Sequence, residues 1–183
     1  MKITACLVSL VSLVSLVACS GAAAPESADQ NASAVRASEP TPDLAGTWAF
    51  DLESSEVAAP LRETCATQSA GNAAKQAACW DEIRAEAKLE KIRFSKSENS
   101  RSTWTSLGHD GKSEVVFVAV PVELAADGPG HVMAKIVGKP TGEHADRFAK
   151  SGTTSMRIDV IDAHTIAMTD PKKGRLVFSK ETH

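Results

Sequence analysis

Eight short strand-like runs separated by turn signals, most of them alternating apolar and polar residues, constrain this chain more than any other feature. In residues 47–52, Trp48, Phe50 and Leu52 alternate with Thr47, Ala49 and Asp51, the period of a half-buried strand. Comparable runs cover residues 89–96, where Ile92 and Phe94 alternate, and residues 101–107, 131–137, 155–161, 165–168 and 175–180. Residues 115–122 form a near-continuous Val/Phe/Ala run that predicts burial on both faces. Pro121 sits near its end, as an edge or terminal position requires. Gly108-His109-Asp110-Gly111, Asp127-Gly128-Pro129-Gly130 and Asp170-Pro171-Lys172-Lys173-Gly174 punctuate the runs. The polar stretch 141–151 is helix-compatible between Glu143 and Ala149 and reads as surface. Eight short strands at this spacing predict a mainly β, α+β fold, an antiparallel meander that closes into a barrel or folds into a sandwich. Closure disposes of the unpaired edges that an open sheet exposes.

One helical insertion follows the first strand. Ser54 or Ser55 is the N-cap candidate, with Glu56 in the first turn and Pro60 near the start, for a helix to about Gln68. Gly71 then stops this helix and Asn72 caps a second, over residues 73–89, whose Ala73, Ala77, Trp80, Ile83 and Ala87 share one stripe. Such a stripe predicts a surface to lie on. Cys65 and Cys79 fall one in each helix. On a single straight helix their Cα atoms would be about 21 Å apart, whereas a disulfide needs them within about 7 Å. Pairing therefore requires the chain to reverse near Gly71-Asn72. Closing a loop of about fifteen residues contributes on the order of 3 kcal/mol in the chain-entropy model. A redox or metal pair is the other reading; the chain offers it no Cys-x-x-Cys spacing and no histidine nearby in sequence.

The N-terminus bears on the redox compartment. Met1-Lys2 precedes an apolar run over residues 5–18, the length of a secretory signal and short of the about twenty residues that cross a bilayer as a helix. It ends in Leu16-Val17-Ala18-Cys19, which resembles the lipobox of bacterial lipoproteins. The resemblance implies cleavage after Ala18, loss of Cys6 with the signal peptide 1–18, and acyl chains such as palmitate on Cys19. An ordinary signal peptide with an incidental Cys19 is the other reading. Ser20 after the cysteine further implies anchorage in the outer membrane, facing the periplasm, where disulfides persist. Residues 19–42 are rich in Ala, Ser, Pro and Glu and predict a disordered tether with a reach of roughly 25–30 Å. That leaves residues 43–183 as one β-barrel-like domain. A composition of 43% hydrophobic and 23% charged residues with net charge −3 suits one globular domain and lacks the basic stripe of a nucleic-acid binder.

Gly46-x-Trp48 on the first strand, a helix–turn–helix, and then only strands, ending in Arg175-Leu176-Val177-Phe178-Ser179-Lys180, resemble the calycin superfamily of lipocalins and fatty-acid-binding proteins. The order of elements is most similar to the fatty-acid-binding arrangement, in which a helical pair caps the barrel. The resemblance implies that Trp48 packs at the barrel base against Arg175, a structural cation–π contact of about 0.5–2 kcal/mol. This chain departs from the family in having no tyrosine, and Val177 stands where a ligand-holding hydroxyl belongs.

No nucleophile elbow, phosphate loop or His-Glu-x-x-His pattern is present. His109, His131, His144, His164 and His183 are scattered one per element. Asp159 and Asp162 flank a strand end, and Glu114 and Glu123 border an apolar strand as solvent-facing ends. Trp104 stands out on a strand of Ser, Thr and Arg: it lines a ligand-holding interior, faces a partner, or fills the core. The expectation is a non-catalytic protein without cofactor or metal, anchored to the membrane through Cys19, whose barrel takes a small apolar or amphipathic ligand under the helix pair. The alternative is a structural or protein-interaction lipoprotein of the envelope, its core filled by Phe50, Phe94, Val116, Val118, Met156 and Ile158. An enzyme would need His109, His131 or His164 to converge with acids in one cleft.

Overall fold

A computed structural model describes residues 41–182. The signal peptide, Cys19 and nearly all of the predicted tether lie outside the described residues, as does His183. The element order is β1 (Gly46–Asp51), α1 (Ala58–Gln68), α2 (Ala73–Ala87), β2 (Lys91–Phe94), β3 (Arg101–His109), β4 (Glu114–Ala126), β5 (His131–Ile136), α3 (Ala145–Lys150), β6 (Ser155–Val160), β7 (Thr165–Asp170) and β8 (Gly174–Lys180). Each strand pairs antiparallel with its neighbours in sequence, and β8 returns to β1, so the eight strands close into a barrel rather than a sandwich.

Inward and outward residues alternate along the strands. On β4, Val118, Val120, Val122 and Leu124 are buried while Ala119, Pro121 and Glu123 between them are not. Burial on one face corrects the two-faced burial expected from this run; small and cyclic outward residues had masked the alternation. Pro121 lies inside a paired strand, yet no ladder bond is lost: pairing with β5 begins one residue later, at Val122 and Ile136, and Pro121 supplies only its carbonyl, to Val137 N. Val116, expected in the core, is 44% exposed, because a bulge opposite Ser106 and Leu107 turns the start of β4 outward. Phe50, Phe94, Val118 and Ile158 do fill the interior, together with Trp48, Trp104 and Phe178, and Met156 packs against them. A barrel of eight strands is just wide enough for side chains to fill.

A meander has two ends. The helical hairpin, the β3–β4 turn, residues 137–154 and the β7–β8 turn share one, the hairpin end. Residues 41–45 and the other turns share the opposite, tether end. There Leu44 is buried and its carbonyl accepts from Trp48 Nε1 at 2.9 Å. The cation over the Trp48 ring is Lys180, with Nζ 5.1 Å from the centroid, not Arg175. Antiparallel register decides this: Trp48 faces Lys180 across the β1–β8 seam, whereas Arg175 pairs with Thr169 near the other end of β8 and is exposed.

At the hairpin end, α1 starts at Ala58 without a side-chain cap. Ser54 and Ser55, expected to cap it, bond elsewhere. Ser54 Oγ donates to Asp51 Oδ2 at 2.7 Å. Ser55 Oγ donates to Asp51 O at 2.6 Å and accepts from Val177 N at 2.8 Å. Asn72 does cap α2, its side chain accepting from Lys75 N. Between the helices Ala70 and Gly71 have φ of 47° and 81°, and the reversal brings the Cα atoms of the bonded Cys65 and Cys79 to 5.7 Å. Of the predicted α2 stripe only Ile83 and Ala87 are buried; Trp80 is half-buried under Arg62, and Ala73 and Ala77 are exposed. The hairpin therefore rests on the barrel by its base while its tip, residues 70–78, stands clear. Among the described residues no helix is long and apolar enough to cross a membrane.

Candidate functional site

β3 carries the polar inward row of the barrel. Ser102, Trp104 and Ser106 are each 6% exposed and alternate with half-buried Thr103 and Thr105. Across the ladders Trp104 is flanked by Phe94 on β2 and Val120 on β4, both buried. Ser102 Oγ donates to Ser95 O at 2.8 Å. Trp104 Nε1 is buried and has no hydrogen-bond partner.

Over this row lies α3, placed by the segment before it. After β5 ends, residues 137–144 continue alongside β4: Ala119 and Thr141 exchange both backbone bonds at 2.8 Å, and His144 N donates to Phe117 O at 2.7 Å. The His144 ring stacks on Phe117, centroids 4.8 Å apart. Phe117 in turn lies against Gly108, where a Cβ would fall 2.0 Å from a ring carbon. From that fixed point α3 sends inward its one buried residue, Phe148, whose ring centroid is 5.8 Å from that of Trp104 with the planes tilted by 32°. Thus α3, rather than the disulfide-bonded hairpin, covers Trp104. Phe148 was missed as a site residue although it is the one large apolar side chain in the polar stretch 141–151.

Two charged groups of the hairpin end are half-buried, Glu90 after α2 and Lys173 in the β7–β8 turn. Burial pushes the Glu90 carboxyl above the usual range, with Glu86 adding to the effect and Lys173 opposing it. Burial also lowers the Lys173 ammonium, and Arg147 adds to this while Asp170 and Glu90 oppose it. Each group is thus held where its charged form is partly stripped of water.

The remaining candidates do not gather. His131 Nδ1 lies 2.8 Å from Asp159 Oδ1, and Arg157 Nε lies 3.4 Å from the same oxygen, but all three alternate outward, opposite to buried Val132 and Ile158. Asp162 accepts from His164 N, and His109 Nδ1 accepts from Gly111 N, each closing its own turn. Glu114 is exposed and pairs with Arg93 at 3.3 Å, and Glu123 is exposed. Among the described residues no group of three or more His, Cys, Asp or Glu side chains is placed to hold a metal ion. A groove of about 210 Å³ between residues 41–45 and the β2–β3 turn lies at the tether end; Trp104 is not in its lining, although Ser95, which is, bonds Ser102 and Thr103. Comparison with known proteins finds no matching family model, curated protein or solved structure.

Proposed function

We propose that the mature protein is a lipid-anchored, non-catalytic protein of the bacterial envelope whose barrel binds a small apolar or amphipathic molecule beside Trp104. The observation that carries the binding half is the unpartnered Trp104 Nε1. Buried polar groups almost always have a partner, and leaving one unmade costs on the order of 1–3 kcal/mol. Elsewhere the interior is filled by Trp48, Phe50 and Phe178, so room for a ligand is made under α3, where a single buried phenyl forms the cover. The calycin-like order of elements and the cation over Trp48 are in keeping with this reading. The anchoring half rests on Leu16-Val17-Ala18-Cys19. Residue 41 enters at the tether end, so attachment through Cys19 leaves the hairpin end and α3 unobstructed.

Two observations favour a second reading, a protein-interaction lipoprotein: the interior filled by Phe50, Phe94, Val118 and Ile158, and the exposed hairpin tip, residues 70–78, which carries five alanines and stands clear of the barrel. Native mass spectrometry of the tag-free mature chain purified from envelopes separates the two. A retained small molecule supports binding, whereas a bare chain together with a specific protein crosslinked to the tip supports the second reading. Palmitate labelling in cells is expected for the natural chain and lost in Cys19→Ser; labelling that survives this change overturns the anchor.

A further inference from the structure

Resting on the binding reading above, we infer that the ligand is a neutral molecule with a carbonyl oxygen, such as an ester or ketone, and not a carboxylate. Its carbonyl accepts from Trp104 Nε1 in the space that Phe148 now covers. An indole N–H donates and cannot accept, so the missing partner is an acceptor. The neighbouring phenyl does not supply it, because a 32° tilt is far from the edge-to-face arrangement that aims an N–H at a ring face.

Charge is decided by the surroundings. Phe94, Val120 and Phe148 adjoin Trp104, and the polar groups of its inward row are the neutral hydroxyls of Ser102 and Ser106. Arg147 and Lys150 of α3 are exposed, and Lys180, the cation over Trp48, lies on β8 at the tether end. An ionised carboxylate brought against neutral donors in an apolar enclosure is not compensated for the water it loses, whereas a neutral carbonyl needs only one or two donors. Ser106, two positions along the same inward row and 6% exposed, offers a second hydroxyl donor.

The cover is α3, six residues with one of them buried, held on its N-terminal side by the bonds of Thr141 and His144 to β4 and followed by Gly152, whose φ is +71°. Phe148 therefore competes with the ligand, and shortening it favours binding.

The test titrates the 15N-labelled mature chain, carrying Cys19→Ser, with methyl decanoate and with decanoate at neutral pH. The three indole N–H resonances, assigned by single Trp→Phe changes, are the readout. Methyl decanoate is expected to move the Trp104 indole resonance and to bind at least about tenfold more tightly than decanoate. Trp104→Phe is expected to weaken ester binding about two- to tenfold through loss of the donor, and Phe148→Ala to tighten it, with Phe148→Leu as the milder variant should the first fail to fold. Decanoate that moves the Trp104 resonance and binds as tightly as the ester overturns the inference while leaving the binding reading intact; ester binding that leaves the Trp104 resonance unmoved overturns both. If neither probe binds the natural chain or the Phe148 variants, both fall.

Discussion

Ser55 and Glu90 show how single side chains fix the hairpin end. The Ser55 hydroxyl gives the buried Val177 N–H its acceptor where β1 has ended, and ties the start of the helical insertion to β8. Ser55→Ala leaves that amide unpaired, so the expected loss is about 1–3 kcal/mol, read as a lower urea midpoint; an unchanged midpoint contradicts the role. Glu90 acts in the opposite sense. Its folded-state value lies above the ordinary 4.5, so the folded chain holds this proton more tightly than the unfolded chain. Stability contributed by the group therefore falls as pH rises from 4.5 through the raised value. Calorimetry of Glu90→Gln is expected to show a melting temperature at pH 7 equal to or above that of the natural chain, and a flatter decline over that window. A clearly lower melting temperature would mean that attraction to Lys173 outweighs burial. Neither role was legible locally: the partner of Ser55 lies 122 positions away in sequence, so a serine before a helix reads as a cap. The same blindness to register assigned Arg175 to Trp48 in place of Lys180.

Between the elements, the hairpin and α3 divide the work that a single helical lid had been expected to do. Cysteine spacing and Gly71-Asn72 made the reversal of α1 into α2 readable, because one straight helix cannot bring those sulfurs together. That the tip stands clear was not readable, since alanine is compatible with both packed and exposed helix faces. The consequence is testable with the Cys65→Ser/Cys79→Ser double variant. A closed loop of this length contributes about 3 kcal/mol in the chain-entropy model, but a hairpin held only by its base can open without the barrel. Circular dichroism near 222 nm is expected to lose helical signal well below the main melting transition, which itself shifts little. Loss of helix and barrel in one shared transition contradicts a locally held hairpin. For α3, the polar stretch 141–151 announced a surface helix, and Phe148 within it was the one residue that pointed inward.

For the whole molecule, the number and order of strands were legible because sequence neighbours in a meander are also neighbours in space. Barrel and sandwich share the same alternation, so closure was not; it depends on β1 meeting β8 across more than a hundred residues of chain. An enclosed interior, a buried indole donor and the proposed ligand site all require that seam. Native-state amide exchange across the β1–β8 register from Trp48 and Lys180 to Asp51 and Val177 tests it directly. These amides are predicted to exchange as slowly as those of the central β4–β5 ladder. Fast exchange confined to β1 and β8, as at two open sheet edges, would contradict a closed barrel and remove the site with it.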